Sequence, residues 1–273
     1  MRLAVLAYDG ISPFMMSTPL AVFGERFLEG GHEVDVCAAA QHFTATGGLR
    51  VETPHLLEQA AAADVVILPG WRNIDEPVSP EIVDTLRAAQ ARGAVVVGLC
   101  LGAFGLAEAG LLEGRRATTH WARAEVFAQR FPGVMVDRGA LFVDEGQVLT
   151  SAGIASGLDC CLHLLGRLSG VREANRVARH LVVAPVRTGE QPQVIASPAP
   201  HSPQDRRIAD LLETLRADPV DVPSLEALAE KAGVSRRSLT RLIRARTGGS
   251  LGEWIRRARV ARAQQMLAAG ARG

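Results

Sequence analysis

Between Val95 and Gly110 the sequence VVVGLCLGAFGLAEAG passes from an apolar, β-branched run through Gly98-Leu99-Cys100-Leu101-Gly102 into a helical stretch. A buried strand that gives way to a helix across a single tight turn, with a nucleophile at its apex, is the pattern of a nucleophile elbow with Cys in the place of Ser. The flanking glycines permit the strained turn, and the helix N-terminus directs its amides and positive dipole end at the thiol. A thiol so placed has a lowered pKa and is reactive. The other reading of a lone cysteine is a buried residue that closes a strand.

The rest of the first 185 residues agrees with an α/β architecture. Short β-branched runs at Leu3 to Ala7, Glu33 to Cys37, Val65 to Leu68 and Val95 to Leu99 alternate with helical segments, which predicts a flavodoxin-like parallel sheet with helices on both faces. The expected helices are Pro19 to Glu29, Pro80 to Arg92, Ala103 to Ala109 and Trp121 to Arg130, followed by longer ones over 155–168 and 171–183. Leu141 to Val143 and Val148 to Thr150 flank Asp144-Glu145-Gly146, a hairpin at the sheet edge. With 48% hydrophobic but only 4% aromatic residues, the core should be built from Val, Leu and Ala.

Residues 186–204 are rich in Pro, Gly, Ser and Gln, lack a sustained apolar period and read as a linker. Cutting the chain there exposes an asymmetry that the net charge of +1 conceals. From Asp205 onward there are 14 basic and 8 acidic residues, and from Lys231 onward 11 basic residues stand against Glu253 alone. Such a basic block points to nucleic acid or another acidic partner, the alternative being a solvated helix face. The four cysteines form neither a disulfide framework nor a zinc-ligand spacing. No apolar run reaches membrane-spanning length, and MRLAVLAYDG reads as a first strand, not a signal peptide. A cytoplasmic protein with no membrane contact, no metal and no cofactor is expected.

In its N-terminal region the chain resembles the ThiJ/PfpI superfamily, whose fold is that of class I glutamine amidotransferases, and within it the branch fused to AraC-type regulators, the GlxA type. The resemblance is carried by Asp9-Gly10, Pro19-Leu20-Ala21-Val22-Phe23, Leu68-Pro69-Gly70, the elbow, Ala117-Thr118-Thr119-His120-Trp121, and Thr150-Ser151-Ala152-Gly153 with Gly157-Leu158-Asp159. It implies that enzymes of the superfamily pair the elbow Cys with an acid from the first βα region and, in peptidase-like members, with a His directly after the Cys. Here those positions are Met15 and Leu101, neither of which can move a proton. His120 is the remaining candidate near the thiol, either as a group lining the site or as a structural histidine. Trp71 stands where relatives carry a second Gly, and its indole would narrow the pocket or cover a ligand. No catalytic residue is assigned. The expected ligand pocket is Cys100, Leu101, Gly70, Trp71, His120 and Met15, a degenerate active site turned to binding.

Residues 205–273 read as helices. Ser224 is a good N-cap, and Leu225, Leu228, Ala229 and Ala232 share one face. Gly233 permits a sharp turn, and Ser235 caps a second helix with Leu239, Leu242 and Ile243 inward. That is the helix-turn-helix plan. The outer side carries Arg236, Arg237, Ser238, Thr240, Arg241 and Arg244, the residue types that read base edges and hold phosphates. The pattern resembles the first helix-turn-helix unit of the AraC/XylS family. The stretch after it resembles that family's connecting helix, with Leu251, Trp254, Ile255 and Ala258 as its buried stripe. The family's second unit does not follow before Gly273, so the reading expects one recognition helix in this chain and weak, salt-dependent operator binding.

These features together predict a ligand-responsive transcription regulator: an N-terminal domain that dimerises and senses a small-molecule effector, and a C-terminal domain that binds double-stranded DNA. The rival is a cysteine-dependent hydratase or amidase-like enzyme with an appended helical domain. A third option is a thiol sensor in which oxidation of Cys100 replaces the ligand.

Overall fold

Strands that are apolar at every position, without alternation, are covered on both faces, and this chain builds such a sheet. The computed structural model describes residues 1–24, 32–153, 155–183, 189, 193, 203–247 and 249–268. Its contacts divide into two units, Met1–Gln193 and Val194–Gly273. In the first unit the strands are β1 (Arg2–Ala7), β2 (Glu33–Ala38), β3 (His42–Ala45), β4 (Leu49–Glu52), β5 (His55–Leu56), β6 (Val65–Leu68), β7 (Val95–Leu99), β8 (Arg116–Ala117), β9 (Met135–Val136), β10 (Phe142–Asp144) and β11 (Val148–Ser151). The helices are α1 (Pro13–Phe23), α2 (Leu57–Ala61), α3 (Pro80–Ala91), α4 (Gly102–Glu108), α5 (Ala124–Arg130), α6 (Ala155–Ser169) and α7 (Val171–His180).

The central sheet has seven strands in the order β10-β11-β7-β6-β1-β2-β5. Every neighbouring pair is parallel except β10 and β11, which form the predicted antiparallel hairpin. Alternate residues along each strand serve two cores. Leu3, Val65, Ile67, Val97 and Leu99 face α1, α6 and α7, whereas Ala4, Leu6, Val66, Leu68 and Val96 face the side of α2 to α5. The fold class is the expected one, a doubly covered parallel sheet followed by an all-helical region.

The structure departs from the sequence reading at α1. The helix starts at Pro13 and carries Pro19 inside, whereas Pro19 had been expected to open it. Proline suits the first helical turn, where the missing N–H has no intrahelical partner, so two prolines compete for the start and the first takes it. Pro19 then leaves the Met15 carbonyl without its helical donor. Residues 25–29 of the expected helix lie outside the described residues. The antiparallel pair β3 and β4, joined through Gly47 at φ +82° and Gly48 at φ +77°, was not anticipated. It is tied to the end of β1 by Thr44, whose N–H donates to Asp9 Oδ1 at 2.7 Å and whose carbonyl accepts from Gly10 N at 2.7 Å. The β10–β11 hairpin is anchored to α6 by Asp144, which accepts from Arg167 Nη1 at 2.8 Å and bonds His163 Nε2 at 2.7 Å. Burial works against the charged form of Asp144, but these partners and the Gly146 amide prevail and hold its carboxyl below the usual range.

The second unit is helical: α8 (Pro203–Ala217), α9 (Leu225–Ala232), α10 (Arg236–Thr247) and α11 (Leu251–Ala268). Its core joins Ile208, Leu211, Leu212 and Leu215 of α8 to Leu228, Ala229 and Ala232 of α9 and to Leu239 and Ile243 of α10. Local signals set the boundaries. Ser224 Oγ accepts from Ala227 N at 3.2 Å, Gly233 ends α9 with φ +66°, and Ser235 Oγ accepts from Ser238 N at 3.2 Å. At the head of α11, Ser250 N donates to Glu253 Oε2 at 2.7 Å while Glu253 N donates to Ser250 Oγ at 3.3 Å. This is a reciprocal capping box. Leu251, Trp254, Ile255 and Ala258 are half-buried, as the stripe predicts.

Two truncations test the two units separately. Phe104 of α4 meets Phe127 edge-on at 4.8 Å with almost no exposure, so Phe104→Ala should cost about 3–5 kcal/mol in denaturant unfolding of the first unit. Ile243→Ala should cost about 2–5 kcal/mol in unfolding of the second.

Candidate functional site

The predicted elbow is present. Cys100 follows β7 directly and adopts φ +55°, one of two non-glycine residues with positive φ among the described residues, before the chain turns into α4. A positive φ at a residue with a Cβ is strained, and such strain concentrates at functional sites. Gly102 makes the turn feasible, because a Cβ there would overlap the carbonyl oxygen of Leu68 at the end of β6. The main chain of Cys100 is fixed on two sides. Its N–H donates to the Ser151 carbonyl at 3.0 Å, and its carbonyl accepts from Thr119 Oγ1 at 2.8 Å. Gly153, at φ +111°, lies over the side chain, and a Cβ on it would stand 2.5 Å from Cys100 Sγ. The residue is 9% exposed, within a cluster that includes Met15, Leu99 and Leu101.

Of the other expected pocket residues, Met15, Gly70 and Leu101 lie at this turn, whereas Trp71 and His120 follow Gly70 and Thr119 in the chain and make their own contacts elsewhere. Met15 is buried and its side chain lies beside Gly70, where an added Cβ would be 3.7 Å from Met15 Cε. A Cβ on Gly102 would likewise be 3.4 Å from the Gly70 amide nitrogen, so the β6 loop and the elbow are in contact. Leu101 packs into both cores of the unit. Trp71 follows Gly70 and is only 4% exposed, packed against the Tyr8 ring, tilted by 49° at 4.6 Å, and with the Arg72 guanidinium 4.8 Å from its ring centre. Its indole N–H donates to the Glu76 carbonyl at 3.0 Å. His120 adjoins Thr119, but its Nδ1 turns back to accept from Ala122 N at 3.3 Å. Burial and then Arg123 lower its pKa, which suits an imidazole acting as acceptor. His120 is thus placed beside the loop that holds Cys100, with its ring nitrogen engaged in its own turn.

An open cleft of about 480 Å³ borders Trp71, at the C-terminal ends of β1, β2 and β6. Tyr8, Asp9, Phe43, Trp71, Arg72 and Glu81 are among its walls, and Trp71 is the one residue it shares with the expected pocket. The cleft sits where the strand order reverses, between β1 and β6, the place where open α/β sheets take ligands. Burial pushes the Tyr8 phenol well up, with Arg72 opposing and Cys100 adding to the rise, so Tyr8 stays a protonated donor at neutral pH. Sequence reasoning missed Tyr8 and Thr119 as parts of this region. Tyr8 directly precedes the Asp9-Gly10 pair, which was a usable signal; Thr119 lies in the Ala117-to-Trp121 motif, but its role appears only through its bond to Cys100. Among the described residues no His, Cys, Asp and Glu cluster could hold a metal ion.

In the second unit, Arg236, Arg237, Thr240, Arg241 and Arg244 are exposed on α10 and Ser238 is half-buried. Arg236 is engaged across the turn by Glu226 of α9 at 2.8 Å, whereas the other arginines of this set extend from the helix C-terminal to it. Thr240 Oγ1 donates back to the Arg236 carbonyl at 2.9 Å.

Comparison with known proteins gives this geometry its family. The DJ-1/PfpI family profile matches residues 1–167, the segment that holds the sheet and the elbow. The chain belongs to the DJ-1/PfpI family. Beyond the DJ-1/PfpI domain the likeness continues into the helical unit. The HTH-type transcriptional regulator CdhR of Pseudomonas aeruginosa is 30% identical over 224 residues, covering 82% of this chain and 66% of CdhR. The isonitrile hydratase of Pseudomonas putida is 33% identical over 143 residues, 52% of this chain and 61% of the hydratase. The chain thus spans less than two thirds of either protein. A crystal structure of an AraC family transcriptional regulator from Pseudomonas putida superposes with a TM-score of 0.59 at 20% identity, over 66% of this chain and 98% of that one, and so shares the fold of the DJ-1/PfpI domain.

The contact between Gly153 and Cys100 can be tested by a double-mutant cycle. Gly153→Ala should lower stability by about 1–3 kcal/mol through backbone strain and overlap with the thiol. In a Cys100→Ala background part of that cost should vanish, read as a positive coupling in paired denaturant titrations.

Proposed function

We propose that this chain is a ligand-responsive transcription regulator and not an enzyme. In this reading the DJ-1/PfpI domain binds a small-molecule effector and the helical unit binds double-stranded DNA, with homodimers forming through the DJ-1/PfpI domain. The observation that carries the reading is the pairing of two features. An elbow cysteine has Met15 and Leu101 where the superfamily resemblance puts its proton-transfer groups, and a helix-turn-helix with an exposed arginine face on α10 follows it in the chain. The printed name of CdhR, similar over both parts, supports it. The effector contacts would come from Met15, Gly70, Trp71, Cys100, Leu101 and His120, with Trp71 also lining the 480 Å³ cleft. The α10 arginines would enter the major groove, where Arg reads guanine edges bidentately.

The test is selection of bound sequences from a random duplex library, followed by titrations at two salt concentrations. Arg237→Ala or Arg241→Ala should relax base preference by about 1–3 kcal/mol at one position. Arg256→Ala or Arg257→Ala should weaken all sequences alike and reduce the salt slope by about one. Failure of the library to enrich any sequence would overturn the DNA assignment.

The similarity to the isonitrile hydratase favours a second reading, hydration of an isonitrile at Cys100. Hydration needs a group that moves protons within hydrogen-bond reach of the reacting carbon. Incubation with simple isonitriles should therefore give no turnover that depends on Cys100, and turnover abolished by Cys100→Ala would establish the enzyme reading instead.

A further inference from the structure

The last described residue of the first unit, Gln193, comes from the segment whose composition reads as a linker, yet it is built into the loop that holds the elbow. Its main-chain N–H donates to the Gly139 carbonyl at 3.1 Å. Its side-chain Nε2 lies 2.9 Å from Thr118 Oγ1, 3.1 Å from the Thr119 carbonyl and 2.9 Å from the Ala140 carbonyl. Four residues earlier, the Gly189 carbonyl accepts from Leu141 N at 2.7 Å. Thr118 N donates to Thr150 Oγ1 at 2.9 Å, and Thr119 Oγ1 donates to the Cys100 carbonyl at 2.8 Å. Two hydrogen bonds, one to the Thr119 carbonyl and one from its hydroxyl, therefore link Gln193 to the strained cysteine through the frame of Thr119.

The amide is sharply oriented and incompletely satisfied. Two of its three partners are carbonyls, which only accept, so the NH2 must face them and the opposite amide orientation is excluded. Two hydrogens serve three acceptors, while Gln193 Oε1 is buried with no hydrogen-bond partner among the described residues. A buried carbonyl left unmatched favours release to water, whereas the bonds of the NH2 favour docking. Opposed terms of similar size leave a contact that a modest change in Thr119 can shift.

We propose that Gln193 is a latch, a positioning residue that, with Gly189, is held to the Thr118–Thr119 loop and the Gly139–Leu141 stretch and lets go when the elbow at Cys100 is altered. This rests on the reading of the DJ-1/PfpI domain as a sensor. The coupling is reciprocal, because whatever loosens Gln193 also loosens the support of the Cys100 carbonyl.

Hydrogen exchange followed by mass spectrometry on the full chain tests the latch without DNA or effector, so its outcome is independent of whether operator binding is found. Exchange is read at Leu141 and Gln193, whose amides donate to Gly189 and Gly139. Alkylation of Cys100 by iodoacetamide should raise exchange at both amides by roughly tenfold, the order expected for loss of one or two hydrogen bonds. Gln193→Ala should show that rise before alkylation and little more after it. Thr119→Val, which removes the hydroxyl on the Cys100 carbonyl, should give the same rise where the thiol resists alkylation. Gln193→Glu guards against a variant that unfolds: its carboxylate would face two carbonyls, so exchange, corrected for its intrinsic pH dependence, should be fast at neutral pH and fall as the acid protonates and regains a donor. If exchange at both amides is unchanged by alkylation and by Thr119→Val, the latch does not exist.

Discussion

The DJ-1/PfpI domain depends on one close approach of main chain to main chain, where the first turn of α4 lies against the end of β6. Gly102 supplies it by having no side chain to strike the Leu68 carbonyl. Once the helix is seated there, Cys100 has no unstrained way to connect it to β7 and takes φ +55°. The same approach brings Gly70, and with it Met15, beside the elbow. Ser151 and Thr119 then hold the strained peptide from either side.

The legible parts of the fold were those fixed by residues near one another in sequence. The strands Val65 to Leu68 and Val95 to Leu99, the elbow, the hairpin around Gly146 and the Ser224–Gly233–Ser235 punctuation of the helix-turn-helix are all local patterns, and the structure has each of them. The start of α1 went wrong because two prolines compete for one position, and spacing alone does not rank them. The β3–β4 pair was unread because four-residue strands joined by glycines leave little periodic signal. The packing of Tyr8, Trp71 and Arg72 and the cleft beside it come from three separate strand ends brought together by the sheet order. The Gln193 contacts are of the same kind, made across 53 to 75 residues of sequence.

Charge is distributed by role along the chain. Cys37, Cys160 and Cys161 are buried thiols pushed upward by desolvation, to about 11 for Cys37 and about 12 for Cys161, so they act as packing groups. On α10, the ion pair of Arg236 with Glu226 spans the turn of the helix-turn-helix and clasps its two helices. An exposed pair of this kind contributes little to stability. Its larger effect is to set a carboxylate at the head of an otherwise basic helix.

The strand order also dictates when this protein can become folded. β1, first in the chain, lies inside the sheet between β2 and β6, and its residue Leu3 aligns with Val65. The sheet then grows outward to β11, where Val148 aligns with Val96, and α6 must follow to cover the face on which α1 sits. Pairings so distant in sequence make for slow folding, whereas the helical unit is built from neighbours. On a ribosome the N-terminal half therefore emerges with its central strands exposed and unpartnered until α6 has been made, and the later-synthesised helices can close on themselves in less time than the earlier sheet.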